Sequence, residues 1–246
     1  MKAKVTGLLL ALLAGTAWAQ VGGLTHAEVI EQTSITDPGK AVQTAQGQWI
    51  AFSMPVVEGT RSPCCWHGQW SNYKEVGCSL EKQHESYGTS SDSPLAENVI
   101  AYARITQNEV RSLLVVGEQC PVEGDGAKVT WLGSVDSTAS LNWLEAVARS
   151  EHGDSLSYSA LYALALHRSK DACKRLYTLA GEADGELAEE AVFAISQLPV
   201  ETGTQMLLEL ARDQQKPREV RRQALFWLAN SDDDKAVAAL ADLLTR

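Results

Sequence analysis

Hydrophobic and polar positions follow one rhythm up to about Ser137 and another beyond it. Trp49 to Val57 is rich in aromatic and β-branched residues and stops at Glu58-Gly59, as a strand does. Gly59 to Pro94 breaks the pattern: it is dense in Gly, Ser, Pro and Cys, with Trp66, Trp70 and Tyr73 interspersed, and reads as irregular chain. Two apolar runs, Asn98 to Thr106 and Val110 to Gly117, meet at Gln107-Asn108 and predict a hairpin. A further strand, Val129 to Leu132, follows the turn Gly124-Asp125-Gly126. Residues 20–47 lack periodicity and are expected to form a loosely ordered arm, leaving 48–138 as a small β-rich domain.

After Ser137, Ala, Leu and charged residues recur at helical spacing. The segments Ser159-Ala160-Leu161-Tyr162-Ala163-Leu164, Glu190-Ala191-Val192-Phe193-Ala194-Ile195 and Gln223-Ala224-Leu225-Phe226-Trp227-Leu228 align position by position, roughly thirty residues apart. A second helix follows each in register, with Leu176, Leu207 and Leu240 equivalent and Leu179, Leu210 and Leu243 three residues later; Leu144 and Val147 take the same roles one period earlier. Pro199 falls at a turn inside a unit, and Gly181, Gly185 and Pro217 lie between units. A repeat of two amphipathic helices cannot bury its apolar stripe without a stacked neighbour. The pattern therefore predicts an α+β chain: a small β-rich N-terminal domain followed, over 139–246, by an all-α solenoid of about three and a half helical hairpins.

The first nineteen residues read as a signal peptide, with Lys2 and Lys4, an apolar stretch from Val5 to Ala14, and Ala17-Trp18-Ala19 before a cut ahead of Gln20. That apolar stretch is about ten residues, short of the roughly twenty needed to span a bilayer. An exported protein, periplasmic or secreted, without membrane insertion, is expected. The formal net charge is −10, and a strongly acidic chain with scattered Lys and Arg is a poor nucleic-acid binder. Behind a secretory signal, Cys64, Cys65, Cys78 and Cys120 are expected to form disulfides. Neighbouring Cys64 and Cys65 each pair with Cys78 or Cys120, leaving two connectivities open. Cys173, in the helical half, is expected to be a free thiol on a buried helix side.

The Ala224-Leu225-Phe226-Trp227-Leu228 segment and its equivalents resemble the HEAT-like repeats of phycobilisome lyases and of exported bacterial HEAT-repeat proteins. The resemblance runs from about Ser140 to Arg246 and implies a solenoid that binds proteins. Deoxyhypusine hydroxylases, some of those relatives, bind iron through His-Glu pairs just before the first-helix alanine. Here the corresponding positions hold Tyr158-Ser159, Glu189-Glu190 and Arg222-Gln223, so that site is not expected.

Cys64, Cys65, His67, Cys78 and His84 form a Cys/His cluster of the kind zinc can use, but the spacing matches no common finger. An oxidising compartment favours disulfides there, and no metal or other cofactor is expected. Glu189 and Glu190 read as carboxylates at a helix start, and Asp232-Asp233-Asp234 as charge ahead of the last helix. Tyr162, Phe193 and Phe226 share one site in successive first helices and read as packing residues. On the second helices, the positions facing away from the leucines form three rows: Asn142, Lys174 and Gln205; Thr178, Glu209 and Asp242; and Arg149 with Arg212. The resemblance places second helices on a concave side, so these rows are the expected contact face for a protein partner. The reading of function is a non-enzymatic interaction or scaffold module of the cell envelope. Its alternative is an envelope enzyme, or an enzyme's accessory protein, acting through the Cys/His-rich site.

Overall fold

The computed structural model describes residues 21–67, 74–75, 77–82, 86–89, 92–150, 154–182, 185–231 and 234–245. In chain order it contains β1 (Gly23–Thr25), β2 (Glu28–Glu31), α1 (Pro38–Thr44), β3 (Trp49–Pro55), β4 (Cys64–His67), β5 (Lys74–Glu75), β6 (Cys78–Ser79) and β7 (Ser86–Gly88). Then come β8 (Asn98–Thr106), β9 (Glu109–Gly117), β10 (Pro121–Glu123), β11 (Lys128–Ser134), α2 (Ser137–Ala148), α3 (Asp154–Leu166) and α4 (Lys170–Glu182). The chain continues through α5 (Gly185–Ser196), α6 (Val200–Arg212), α7 (Arg218–Ala229) and α8 (Asp234–Thr245).

The main sheet is mixed and five-stranded, in the order β2-β11-β3-β8-β9. β11 runs parallel to both β2 and β3, whereas β3, β8 and β9 are antiparallel. The β8–β9 hairpin closes through Gln107 and Asn108, both at positive φ (55° and 61°), as a two-residue turn that matches the strand twist demands. The parallel β2 and β3 flank β11, and α1 lies on the chain between them. Asp37 starts α1 by accepting from the Gly39 and Lys40 amides, with Pro38 supplying a helical φ at the first position. Two smaller sheets, β1-β10-β6 (parallel) and β5-β4-β7 (antiparallel), complete the strands.

β3 explains how the layers combine. Its residues are buried on both faces, so successive side chains, which point to opposite sides of a strand, enter two different cores. Ile50, Phe52 and Met54 join a core shared with α2 and the later helices, while Trp49 and Ala51 join a second core with Cys64, Cys65, Cys78, Cys120, Tyr102 and Val122. Phe52 meets Trp143 of α2 edge to face, at 5.5 Å between ring centres.

This arrangement overturns the expected β-rich N-terminal domain followed by an all-α solenoid of about three and a half hairpins. The described residues form eight helices, of which α1 falls between β2 and β3 of the main sheet, and strands at 98–134 follow that helix. The mixed sheet and the two smaller sheets are spread through the chain up to Ser134, and the later helices build on the main sheet as one continuous core. The physical reason is that β3, with both faces apolar, needs a cover on each, and helices supply one of them. Residues 20–47, expected as a loose arm, contribute β1, β2 and α1 instead.

Within the helices, α3, α5 and α7 pack in succession through alanines (Ala160, Ala163, Ala191, Ala194 and Ala224, all 3 % exposed or less), which allow close approach. Leu176, Leu179, Leu207 and Leu210 lie at 0 to 3 % exposure on α4 and α6. Leu207→Ala is expected to cost about 2 to 5 kcal/mol through lost transfer energy and a residual cavity. Gln205, exposed and bonded to Glu209 (3.0 Å), should tolerate Ala with little change. Equal shifts in the denaturation midpoints of the two variants would contradict this assignment of core and surface.

One buried polar pair sits where α2, α3 and the sheet meet. His167 is 1 % exposed and forms a bridge with Val56, and its Nε2 lies 2.9 Å from Ser140 Oγ. Ser140 donates its hydroxyl hydrogen to the Ser137 carbonyl, so in its contact with His167 the ring Nε2 is the donor. Nδ1 has no hydrogen-bond partner among the described residues. A second proton there would be buried without an acceptor, and burial accordingly pushes the His167 pKa down. A lowered folded-state value means that the unfolded chain binds the proton more readily. The contribution is therefore intact above about pH 6.5 and lost as pH falls below it. The melting temperature should drop between pH 7 and 5 in the native chain and drop less in His167→Gln.

Candidate binding surface and disulfide cluster

The four N-terminal-half cysteines form two bridges, Cys64–Cys120 and Cys65–Cys78, with Cα separations of 5.4 and 5.1 Å. Consecutive residues of β4 point to opposite sides, which lets the adjacent cysteines reach different partners. Together the bridges tie the β5-β4-β7 sheet to the β1-β10-β6 sheet, since Cys78 lies in β6 and Cys120 directly precedes β10. All four cysteines are 1 to 4 % exposed. The two bridges touch, with Cys78 Sγ 3.8 Å from Cys120 Sγ, and the sulfurs of Cys64, Cys78 and Cys120 lie within 4.8 Å of one another. Of the Cys/His cluster, the His67 side chain and His84 lie outside the described residues. Cys173 is a free thiol but is only half-buried at the edge of the helical core, and burial raises its pKa.

The rows expected on the second helices are exposed. Asn142, Arg149, Lys174, Thr178, Gln205, Glu209 and Arg212 all face solvent, and the Asp242 side chain lies outside the described residues. Much of this face is already laced by local pairs. Arg149 binds Glu145 at 3.1 Å, Lys174 binds Asp171 at 2.9 Å, and Asn142 accepts from Arg175 at 2.7 Å. Exposed pairs of this kind contribute little to stability.

A different feature appears on α3, α5 and α7. Tyr162 and Phe193 are linked through Tyr158, and Phe193 passes to Trp227 and Phe226, so that five rings on three successive helices are in contact. Centre-to-centre distances along this chain are 6.4, 5.6, 4.8 and 5.1 Å. Its near end is anchored by Tyr87 of β7, which packs edge-on against Tyr162 and donates its hydroxyl to the Val115 carbonyl. Tyr162 is buried, Tyr158, Phe193 and Trp227 are half-buried, and Phe226 is 53 % exposed. The packing role expected of the equivalent trio thus holds at Tyr162 and lapses toward Phe226.

Sequence reasoning missed Tyr158 and Trp227. The signal was there for Tyr158, four residues before Tyr162 and hence on the same helix face. Burial, and then the charge of Glu190, raises the Tyr158 hydroxyl's pKa. Glu189 and Glu190 do not occupy a helix start: the first turn of α5 carries Glu186, and Glu189 accepts from Gln223 of α7 at 3.2 Å. Of the Asp232–Asp234 run, Asp232 and Asp233 lie outside the described residues.

Two cavities open beside this aromatic row. One of about 340 Å³ is bounded by Tyr162, Leu166, Glu58 and Arg61, and one of about 150 Å³ by Trp227, Ser196 and Asn230. Gln197 lines both. Among the described residues, no helix is long and apolar enough to cross a membrane. Compared with known proteins, the chain matches no family, no curated protein and no solved structure.

Proposed function

We propose that the chain is an exported, non-enzymatic protein-binding module of the cell envelope. The observation that carries this reading is the breadth of the helical surface left open: mixed polar rows on α2, α4 and α6, and a partly exposed aromatic row on α3, α5 and α7. Mixed polarity around aromatic anchors suits a protein partner. The signal-peptide pattern at the N-terminus and the two buried disulfides are compatible with an oxidising, extracytoplasmic location. The resemblance of the helical segments to HEAT-like repeats, most of which bind proteins, points the same way. To test it, charge is reversed together at Lys174 and Arg212, folding is checked by melting, and the proteins co-purifying from the native envelope are compared. A changed set supports the polar rows as the contact face, and an unchanged set removes them from it.

A second reading, an envelope enzyme or accessory protein with a thiol or metal site, rests on the Cys64, Cys78 and Cys120 sulfurs, which lie within 4.8 Å of one another and would offer three thiolates once both bridges are reduced. Stoichiometric zinc in protein purified from its native compartment would support it, and four blocked thiols with no metal would refute it.

A further inference from the structure

We propose that the two touching disulfides are an exchange relay: a dithiol that opens either bridge moves the other onto Cys78–Cys120 and frees Cys64 and Cys65 as thiols. The strand that holds Tyr87 against the helices is thereby released. Two observations carry this, the contact between the bridges and the place of Cys65 in its sheet. Cys64–Cys120 and Cys65–Cys78 meet at Cys78 Sγ and Cys120 Sγ, 3.8 Å apart, close to the about 3 to 3.5 Å at which positioned atoms react.

In the opening step an external dithiol is oxidised to its own disulfide while Cys65 and Cys78 are reduced to thiols. The Cys78 thiolate then attacks Cys120. A Cys78–Cys120 bond forms, the Cys64–Cys120 bond breaks, and Cys64 leaves as a thiolate and takes up the proton that Cys78 lost. This second step transfers no net electrons. Opening Cys64–Cys120 first gives the same product, because the freed Cys120 attacks Cys78 and expels Cys65. Cys64 and Cys65 do not readily close on each other, since neighbouring Cα atoms lie about 3.8 Å apart, below the roughly 4.4 to 6.8 Å of a disulfide. Moving the bridge from Cys64–Cys120 to Cys78–Cys120 changes the enclosed separation from 56 to 42 residues, so loop closure favours neither strongly.

In the pairing of β4 with β7, Cys65 stands opposite Tyr87 and Cys64 opposite Gly88. The bridges are therefore the covalent tie behind the strand that sets Tyr87 against Tyr162, at 5.8 Å between ring centres, with its hydroxyl on the Val115 carbonyl. After migration neither cysteine of β4 is bonded to β6 or to Cys120. β4, β5 and β7 have four, two and three residues, too few to hold a sheet alone. Tyr87 then leaves Tyr162, and the cavity that Tyr162 and Thr89 line opens toward solvent. The four cysteines are 1 to 4 % exposed, so the dithiol enters by local opening of these short strands. The relay builds on the binding-module reading only in this last step, the amount of helical face that a partner meets.

The full mature chain is treated with limiting dithiothreitol, trapped in acid, alkylated after denaturation and mapped by peptide mass. The one-disulfide species is expected to hold Cys78–Cys120, with labels on Cys64 and Cys65. Cys65→Ser leaves a Cys78 thiol without any reductant, and should contain Cys64–Cys120 and Cys78–Cys120 within about tenfold of each other. In the migrated species, amide hydrogen exchange at residues 86–89 should rise while that of β8 stays as in the native chain. A one-disulfide species that keeps Cys64–Cys120 or Cys65–Cys78 overturns the relay, as does Cys65→Ser with Cys64–Cys120 alone. A native chain that dithiothreitol reduces only once it is unfolded overturns it too. Migration with unchanged exchange at residues 86–89 overturns the link to the helical face. Charge reversal at Lys174 and Arg212 tests the binding-module reading separately, so the failure of one is distinct from the failure of the other.

Discussion

Replacing Cys64 and Cys120 together by alanine is expected to lower the unfolding free energy by about 4 kcal/mol, against about 3 kcal/mol for Cys65 and Cys78. The difference follows from the chain each bridge closes: the residues lie 56 apart in the first and 13 apart in the second, and the entropy removed from the unfolded state grows with the logarithm of that separation. Folded domains have only about 5 to 15 kcal/mol in total, so either loss is a large share. Position sharpens the effect. β4 and β6 are four and two residues long, and strands that short do not hold a sheet without an added tether. The measurement is urea denaturation of the two double variants beside the native chain, with unfolding followed by circular dichroism. A Cys65/Cys78 variant less stable than the Cys64/Cys120 variant would mean that the bridges act through folded-state packing rather than loop closure. Loss of both bridges should unfold the β4–β7 region first, visible as early protease cleavage between Pro63 and Pro94.

The parts legible in the sequence are those set by local periodicity. The leucines at 176, 179, 207 and 210 repeat on one side of their helices and are buried there, because a 3.6-residue period needs no knowledge of the partner. The β8–β9 hairpin is equally local, with its turn fixed by Gln107 and Asn108. The sheet order was not legible. Its central pairings, β11 with β2 and with β3, join residues far apart in sequence, and no short-range signal distinguishes a parallel partner from an antiparallel one. β2 is too short and too polar at its ends to announce itself, although Asp37-Pro38 was a readable start for α1. The cysteine pairing depended on the same long-range geometry. For the aromatic row, the repeat register revealed Tyr162, Phe193 and Phe226 as equivalent. The gradient from buried to exposed comes from Tyr87 and the sheet covering one end only.

The fusion of sheet and helices has the sharpest consequence at Trp143. This residue of α2 is 7 % exposed, packs edge-on against Phe52 of β3, and lies in the one apolar core that runs from the main sheet into α7. Trp143→Ala is expected to cost about 3 to 5 kcal/mol, the range for removing a large buried aromatic. The form of the transition matters as much as its midpoint. Were the sheet and the helices separate domains, the variant would leave one of them melting at its native temperature, and two steps would appear. A shared core couples them, because the helical side loses the cover of Ile50, Phe52 and Met54 as the sheet loses that of Leu144 and Val147. Far-ultraviolet dichroism at 222 nm, dominated by helix, and near-ultraviolet dichroism, to which Trp49 and Tyr102 of the second core contribute, should therefore shift together in one transition. A helical signal that keeps its native midpoint while the aromatic signal moves would show that the two parts fold independently, with Phe52 and Trp143 merely in contact.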